Sequence, residues 1–253
     1  MAAARSIDIS LSKKQLAEVA TKSERFVGTM GGGMDQTASV FGIEGKVLLI
    51  GFKPKLSFGY LSLPPNCSFV VCDSLVESKK ASIAQKHYNK RVLECRLAAL
   101  FIGKYVGLKN WKSVGTLGQL ETIGPIECDL FELERIASEC FKEDFYTKSE
   151  MEALLAVDLI QFFQSDTKLL QILEESDTFW LQKRAKHTFS EARRVRSFCE
   201  LCQSFDSGNE SEEKNIFIEL GALMDQSHES CRNDFDCSCP ELNNLVKEAK
   251  IKK

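Results

Sequence analysis

The change of hydrophobic period about a third of the way along the chain constrains its fold more than any other feature. Before that point the apolar runs are short. Lys46 to Phe52, Phe58 to Leu63 and Ser68 to Ser74 have the length and β-branched or aromatic content of strands, and Pro64-Pro65-Asn66 separates the second from the third. From about Ser78 onward the apolar residues recur at three and four. His87 to Val106, Leu130 to Phe141, Ser149 to Phe163, Phe179 to Ser204 and Asn215 to Ser227 are expected to be helices, with Ser149-Glu150-Met151-Glu152 capping the third and Pro240 opening a further one. Ahead of the strands, Ser12-Lys13-Lys14-Gln15 is a capping pattern. It opens a helix that carries Leu16, Val19, Ala20, Ser23 and Val27 and ends near Gly28-Thr29; a second short helix is expected from Met34 toward Val40. Phe205 to Asn215 is polar and acidic and reads as a solvated loop, and the Lys250-Ile251-Lys252-Lys253 tail as a fraying end. The order is helix, glycine turn, strands, then mostly helices. That is an α+β chain with a boundary at Pro64-Pro65, dividing it into residues 1–64 and 65–253.

Composition excludes several classes. Over 253 residues, 43% are hydrophobic and 27% charged, which is globular rather than disordered. Lys plus Arg number 33 against 36 Asp plus Glu, so no basic surplus exists to hold a phosphate backbone and nucleic-acid binding is not expected. No apolar run reaches membrane-spanning length, and the Met1-Ala2-Ala3-Ala4-Arg5 start lacks the pattern of a secretory signal. A cytoplasmic protein without membrane contact is expected, a monomer by default, with its ten cysteines as reduced thiols and its Asn-x-Ser sequons without meaning.

The chemistry is concentrated in Gly31-Gly32-Gly33-Met34-Asp35-Gln36. Three successive glycines carry a high conformational-entropy cost, which makes sense where the backbone takes positive φ or where a ligand lies against it. Asp35 then falls in the first turn of a helix, where the dipole favours its charged form. A carboxylate beside a patch without side chains can accept a hydroxyl's proton or orient its oxygen for attack on a phosphoryl group. The same spacing also describes an ordinary loop with a helix-start aspartate. Other groups invite weaker readings. Cys199-Glu200-Leu201-Cys202 and Cys237-Ser238-Cys239 lack the spacing of a zinc ribbon or finger. His187 is expected to be a hydrogen-bonded structural histidine, and His228, Arg232 and Asp234 a helix-end cluster with an ion pair.

Several stretches carry a resemblance. Gly32-Gly33-Met34-Asp35-Gln36 followed by Ser39 resembles the aspartate motif of galactokinases, in the GHMP kinase superfamily. Val76-Glu77-Ser78-Lys79-Lys80 and Tyr88-Asn89-Lys90-Arg91-Val92-Leu93-Glu94-Cys95-Arg96-Leu97-Ala98-Ala99 resemble the segment after that family's third strand. Arg184-Ala185-Lys186-His187 through Glu191 resembles its Arg-Ala-x-His-x-x-x-Glu stretch. Gln226-Ser227-His228-Glu229-Ser230-Cys231-Arg232 and Ser238-Cys239-Pro240-Glu241-Leu242 resemble its last stretches, and all occur in family order. The branch looks eukaryotic, nearer N-acetylgalactosamine kinase than the short bacterial enzymes. The resemblance implies a two-domain GHMP-kinase-like fold, residues 1–64 being the end of the first domain and 65–253 an incomplete second one. It implies ATP- and Mg²⁺-dependent phosphorylation of the C1 hydroxyl of galactose or N-acetylgalactosamine. Asp35 matches the catalytic aspartate. Gly32, with Gly33 beside it, matches the glycine against the sugar, and Tyr88 matches a tyrosine on a sugar hydroxyl.

The departures are as specific. Neither the family's Gly-Arg-x-Asn-Leu-Ile-Gly-Glu-His stretch, nor a phosphate loop of the Gly-Leu-Ser-Ser-Ser-Ala kind, nor the closing Thr-Gly-x-Gly-x-Gly-Gly-Cys stretch occurs in the sequence. The expectation is an internal piece of a kinase, inactive alone. The alternative is a galactokinase-like regulator that senses sugar without catalysis.

Overall fold

The computed structural model describes residues 11–26, 31–52, 56–76, 83–123, 129–205 and 210–251. The first helix, α1 (Lys13–Phe26), starts where the capping pattern puts it: Gln15 N donates to Ser12 Oγ at 3.2 Å, and Ser12 N donates back to Gln15 Oε1 at 2.9 Å. Its expected end at Val27 to Thr29 lies outside the described residues, as do Glu77 to Lys80 and Lys252-Lys253. After the glycines, α2 (Met34–Phe41) packs against α1 and buries Thr37 and Phe41.

Two of the three expected strands form. β1 (Val47–Gly51) and β2 (Ser57–Leu61) are antiparallel, in a register running from Val47 opposite Leu61 to Gly51 opposite Ser57. This hairpin fixes the C-terminal end of α2. The Phe58 ring lies 4.2 Å from that of Phe41, and Tyr60 Oη donates to Phe41 O at 2.8 Å. The third expected strand, Ser68 to Ser74, is irregular, with Phe69, Val70 and Val71 at 74%, 85% and 95% exposure. A strand exists only as half of a ladder, and among the described residues no strand lies beside this segment to supply the other half.

The rest is helical. α3 (Ile83–Tyr105) runs through the middle of the core, placing Leu93, Leu97 and Leu100 on one face. Two 3₁₀ turns (Trp111–Ser113 and Leu117–Gln119) and α4 (Leu120–Ile123) lead to α5 (Leu130–Cys140). Ser149 to Phe163 is two helices rather than one: α6 (Lys148–Leu155) ends at Ala156, which sits at φ 55°, and α7 (Leu159–Phe163) restarts with Asp158 accepting from Gln161 N at 2.9 Å. The α6 cap is Thr147 with Glu150, not Ser149. α8 (Thr167–Glu174) is capped by Asp166, and α9 (Leu181–Ser204) crosses both α3 and α5. β3 (Tyr146–Thr147), just before α6, and β4 (Thr178–Phe179), between α8 and α9, form a two-residue antiparallel bridge. α10 (Glu210–Asn233) starts earlier than expected: the acidic run read as loop is helix, in keeping with the preference of carboxylates for a first turn. Pro240 does open α11 (Pro240–Ile251), which takes in Lys250 and Ile251 of the expected fraying tail.

Two apolar cores result. The large one gathers α3, α5, α6, α7, α8 and α9, with Met151, Leu155, Phe179, Leu181 and Phe189 almost wholly buried. The small one sets Leu61 of β2 against Cys202 of α9 and Leu220 of α10. Mostly helical with a little sheet, the architecture is compatible with α+β. No helix among the described residues is long and apolar enough to cross a membrane.

Candidate functional site

Gly33 is the N-cap of α2 and has φ 91°, the left-handed region that favours glycine. A Cβ there would also meet Thr21 Oγ1 of α1 at 2.5 Å, so glycine is what lets α2 close against α1. A Cβ on Gly32, by contrast, would meet nothing within 4 Å. Gly32 is an exposed stretch of bare backbone, one residue before the cap. Asp35 follows in the first turn of α2, exposed, with no hydrogen bond or ion pair to a described residue.

Tyr88 comes from the early turns of α3. Its phenol is held above the usual tyrosine range, first by burial, then by the carboxylates of Glu24 and Asp35. The three expected positions therefore share one neighbourhood: Gly32 and Asp35 on the α1–α2 turn, Tyr88 within electrostatic reach across from it. Glu24 is the member that the sequence did not reveal. It accepts from Gln36 Nε2 at 2.8 Å and lies where a Cβ on Gly31 would meet Glu24 Oε2 at 2.7 Å. Within the first helix it looks like any solvent-facing carboxylate, and only the return of the chain through the glycines gives it a role.

Tyr88 also lines an open cleft of about 950 Å³ between α3, the Gly115–Gly118 loop, α7, α8 and Phe235. Asp35 does not line it. One wall of the cleft is set by two arginines. Arg184 of α9 pairs with Glu94 of α3, Nε to Oε2 at 2.6 Å, both side chains being almost completely buried. Glu94 Oε1 also accepts from Trp180 N at 3.0 Å, and Arg184 Nη1 donates to Asp234 O. Arg91 of α3 donates to Phe235 O at 2.6 Å and to Asp236 O. The turn after α10 is thereby tied to both long helices. His187 stacks on Phe235 with ring centroids 4.4 Å apart and shares a 3.0 Å hydrogen bond with Ser230 Oγ, as a structural histidine should. Burial, chiefly, holds its imidazole below the ordinary histidine range. Arg232 pairs with Glu229 and Asp234 accepts from Ser230, so the expected His228–Arg232–Asp234 cluster is divided between different partners.

Among the described residues no group of three or more His, Cys, Asp or Glu could hold a metal ion, so none of them forms a cage for Mg²⁺.

No family model matches the chain. Among curated proteins it is 38% identical over 254 residues to a galactokinase of Dictyostelium discoideum, covering 95% of this chain and 49% of that one. It is 28% identical to a galactokinase of Saccharomyces cerevisiae, covering 93% and 49%, and 26% identical to one of Actinobacillus pleuropneumoniae, covering 96% and 47%. The chain spans about half the length of the curated relatives it matches.

Proposed function

We propose that this member of the galactokinase family provides the aspartate side of a sugar-kinase site, one that phosphorylates the C1 hydroxyl of galactose or N-acetylgalactosamine at the expense of ATP. One observation carries the reading: Asp35 is presented, without a hydrogen-bond or ion-pair partner among the described residues, shortly after a bare backbone ledge at Gly32. Gly33 is buried against Thr21 and serves the turn, so a sugar lying on the exposed Gly32 brings a hydroxyl to that carboxylate, which accepts the proton or orients the oxygen. Tyr88, raised partly by the Asp35 charge, keeps its phenolic proton and donates or accepts at a second hydroxyl. ATP and Mg²⁺ supply the phosphoryl group and the neutralisation of its charge. Among the described residues no cluster of carboxylates fits the metal ion. The kinship with galactokinases supports the chemistry, and nine free cysteines among the described residues suit a reducing, cytoplasmic setting. Residues 1–64 serve as the end of one domain and 65–253 as part of a second.

Phosphoryl transfer depends on holding and neutralising the phosphates, and these 253 residues carry no phosphate loop. The chain alone is therefore expected to turn over neither sugar. Radiolabel transfer from ATP tests this with the chain alone and with the chain joined to the portion of the Dictyostelium relative that it does not match. The fusion should recover transfer, and Asp35→Asn should cut its kcat by ~10²–10⁴-fold. A fusion whose Asp35→Asn form retains full rate would sink the assignment. Ligand-dependent capture of a protein partner without turnover would favour the sensing role instead.

A further inference from the structure

Beyond the sugar site, we infer that the 950 Å³ cleft is a binding site for a phosphate monoester, with the phosphate held between Arg96 and Lys112 and the body of the ligand lying on the aromatic wall toward Tyr88.

The charge balance of the cleft points there. Arg91, Arg96 and Lys112 line it, against Asp166 as the lone carboxylate among the described lining residues. Arg91 is committed to the turn at Phe235 and Asp236, and Asp166 to capping α8 through Leu169 N at 3.1 Å. That leaves Arg96 and Lys112, neither of which has a carboxylate in hydrogen-bond or ion-pair contact among the described residues. Arg96 is half-buried, and burial, partly offset by the charge of Asp166, pulls its guanidinium below the usual arginine range, so the charge is held at a cost with no carboxylate in contact among the described residues. A cation kept half-desolvated in an open cavity is poised for an anion brought by a ligand.

The Gly115–Gly118 loop is shaped around that cation. A Cβ on Gly115 would meet Arg96 Nη1 at 2.8 Å, so the absent side chain is what lets the guanidinium lie against the loop backbone. Gln119 Oε1 accepts from Gly115 N at 2.5 Å and Thr116 N at 3.0 Å, fixing the loop from behind. Thr116 Oγ1 lies buried on this loop at the cap of the Leu117–Gln119 turn, its hydroxyl proton without an acceptor among the described residues, a donor that a phosphate oxygen would satisfy. Phe162, Phe163 and Phe235 continue the wall away from the cations, offering ring faces to the body of an ester. A single carboxylate would satisfy one cation; a dianionic phosphate matches two cations and a hydroxyl.

The test is isothermal titration of the intact chain with inorganic phosphate, a hexose 1-phosphate and adenosine monophosphate, which separates sugar from nucleotide as the body of the ester. At least one ester should bind saturably and more tightly than inorganic phosphate, with affinity falling as salt rises. Arg96→Gln should weaken it by ~10-fold or more, and Lys112→Gln by a smaller factor. Lys112 is exposed, so its variant remains informative if Arg96→Gln unfolds. Ester binding that Asp35→Asn weakens while Arg96→Gln and Lys112→Gln leave it intact would place the ester at the sugar site and overturn the inference. Binding by none of the three, or binding that a folded Arg96→Gln and Lys112→Gln both retain in full, would overturn the inference.

Discussion

The helical body and the α1–α2–hairpin region are built on different terms. In the body, α3 is enclosed along most of its length, and its one buried carboxylate, Glu94, is matched by a buried guanidinium and a backbone N–H. In the other region, each element has one covered side at most. Phe26 and Met34 are 92% and 63% exposed, and β1 and β2 show Leu49, Phe58 and Tyr60 to solvent. The candidate catalytic carboxylate belongs to the thinly packed region, and the residues that brace the cleft belong to the dense one. Dense packing and the candidate carboxylate thus fall in separate parts of the chain, a division met elsewhere where binding groups sit on the less protected elements.

The division can be broken by experiment. Glu94→Ala should have the largest effect: it leaves Arg184 buried without its counter-charge, for ~3–5 kcal/mol lost in urea denaturation. A loss below ~1 kcal/mol would show that the ion pair does not hold α3 and α9 together. Next comes a matched pair of leucines. Leu97→Ala, wholly buried on α3, should cost ~2–5 kcal/mol. Leu49→Ala, 42% exposed on β1, should stay within ~0.5 kcal/mol. Equal costs would erase the contrast. Gly33→Ala should cost ~1–2 kcal/mol from its positive φ, with the contact on Thr21 added, and should disturb amides of α1 and α2 while leaving those of α9 unshifted. The smallest effect concerns pH. His187 takes up its proton less readily in the folded chain than in the unfolded one, so its contribution is complete above its ordinary pKa and is lost as pH falls below it. Urea midpoints at pH 7.5 and 5.5 should therefore differ by less in His187→Gln than in the parent chain. An unchanged difference would show that this imidazole is not what the acid limb reports.

Much of this was legible before the structure. Ser12 with Gln15 marked the start of α1 because a capping box is a local device, complete within four residues. The spacing of Leu93, Leu97 and Leu100 marked α3 for the same reason: one helix face carries its own evidence. Ser68 to Ser74 misled because strand composition reports a willingness to pair and says nothing of a partner. The break at Ala156 escaped because the apolar period continues across it, although Asp158 was available as a second N-cap. At the candidate site, Asp35 could be named from a glycine turn and a helix start, and Gly32 from the resemblance to galactokinases. Glu24 and the Arg96–Gly115 contact could not, since each joins segments whose meeting depends on the tertiary path.

The turn after α10 is gripped almost entirely by its carbonyl oxygens: those of Asp234, Phe235 and Asp236 receive the two arginines. Every amino acid brings the same oxygen, so a substitution here can remove the 3.0 Å Arg91–Asp236 ion pair or the Phe235 ring contact but keeps the backbone part of the clamp, whereas adding or removing a single residue slides the oxygens out from under the guanidiniums. For this corner of the molecule, residue count matters more than residue type.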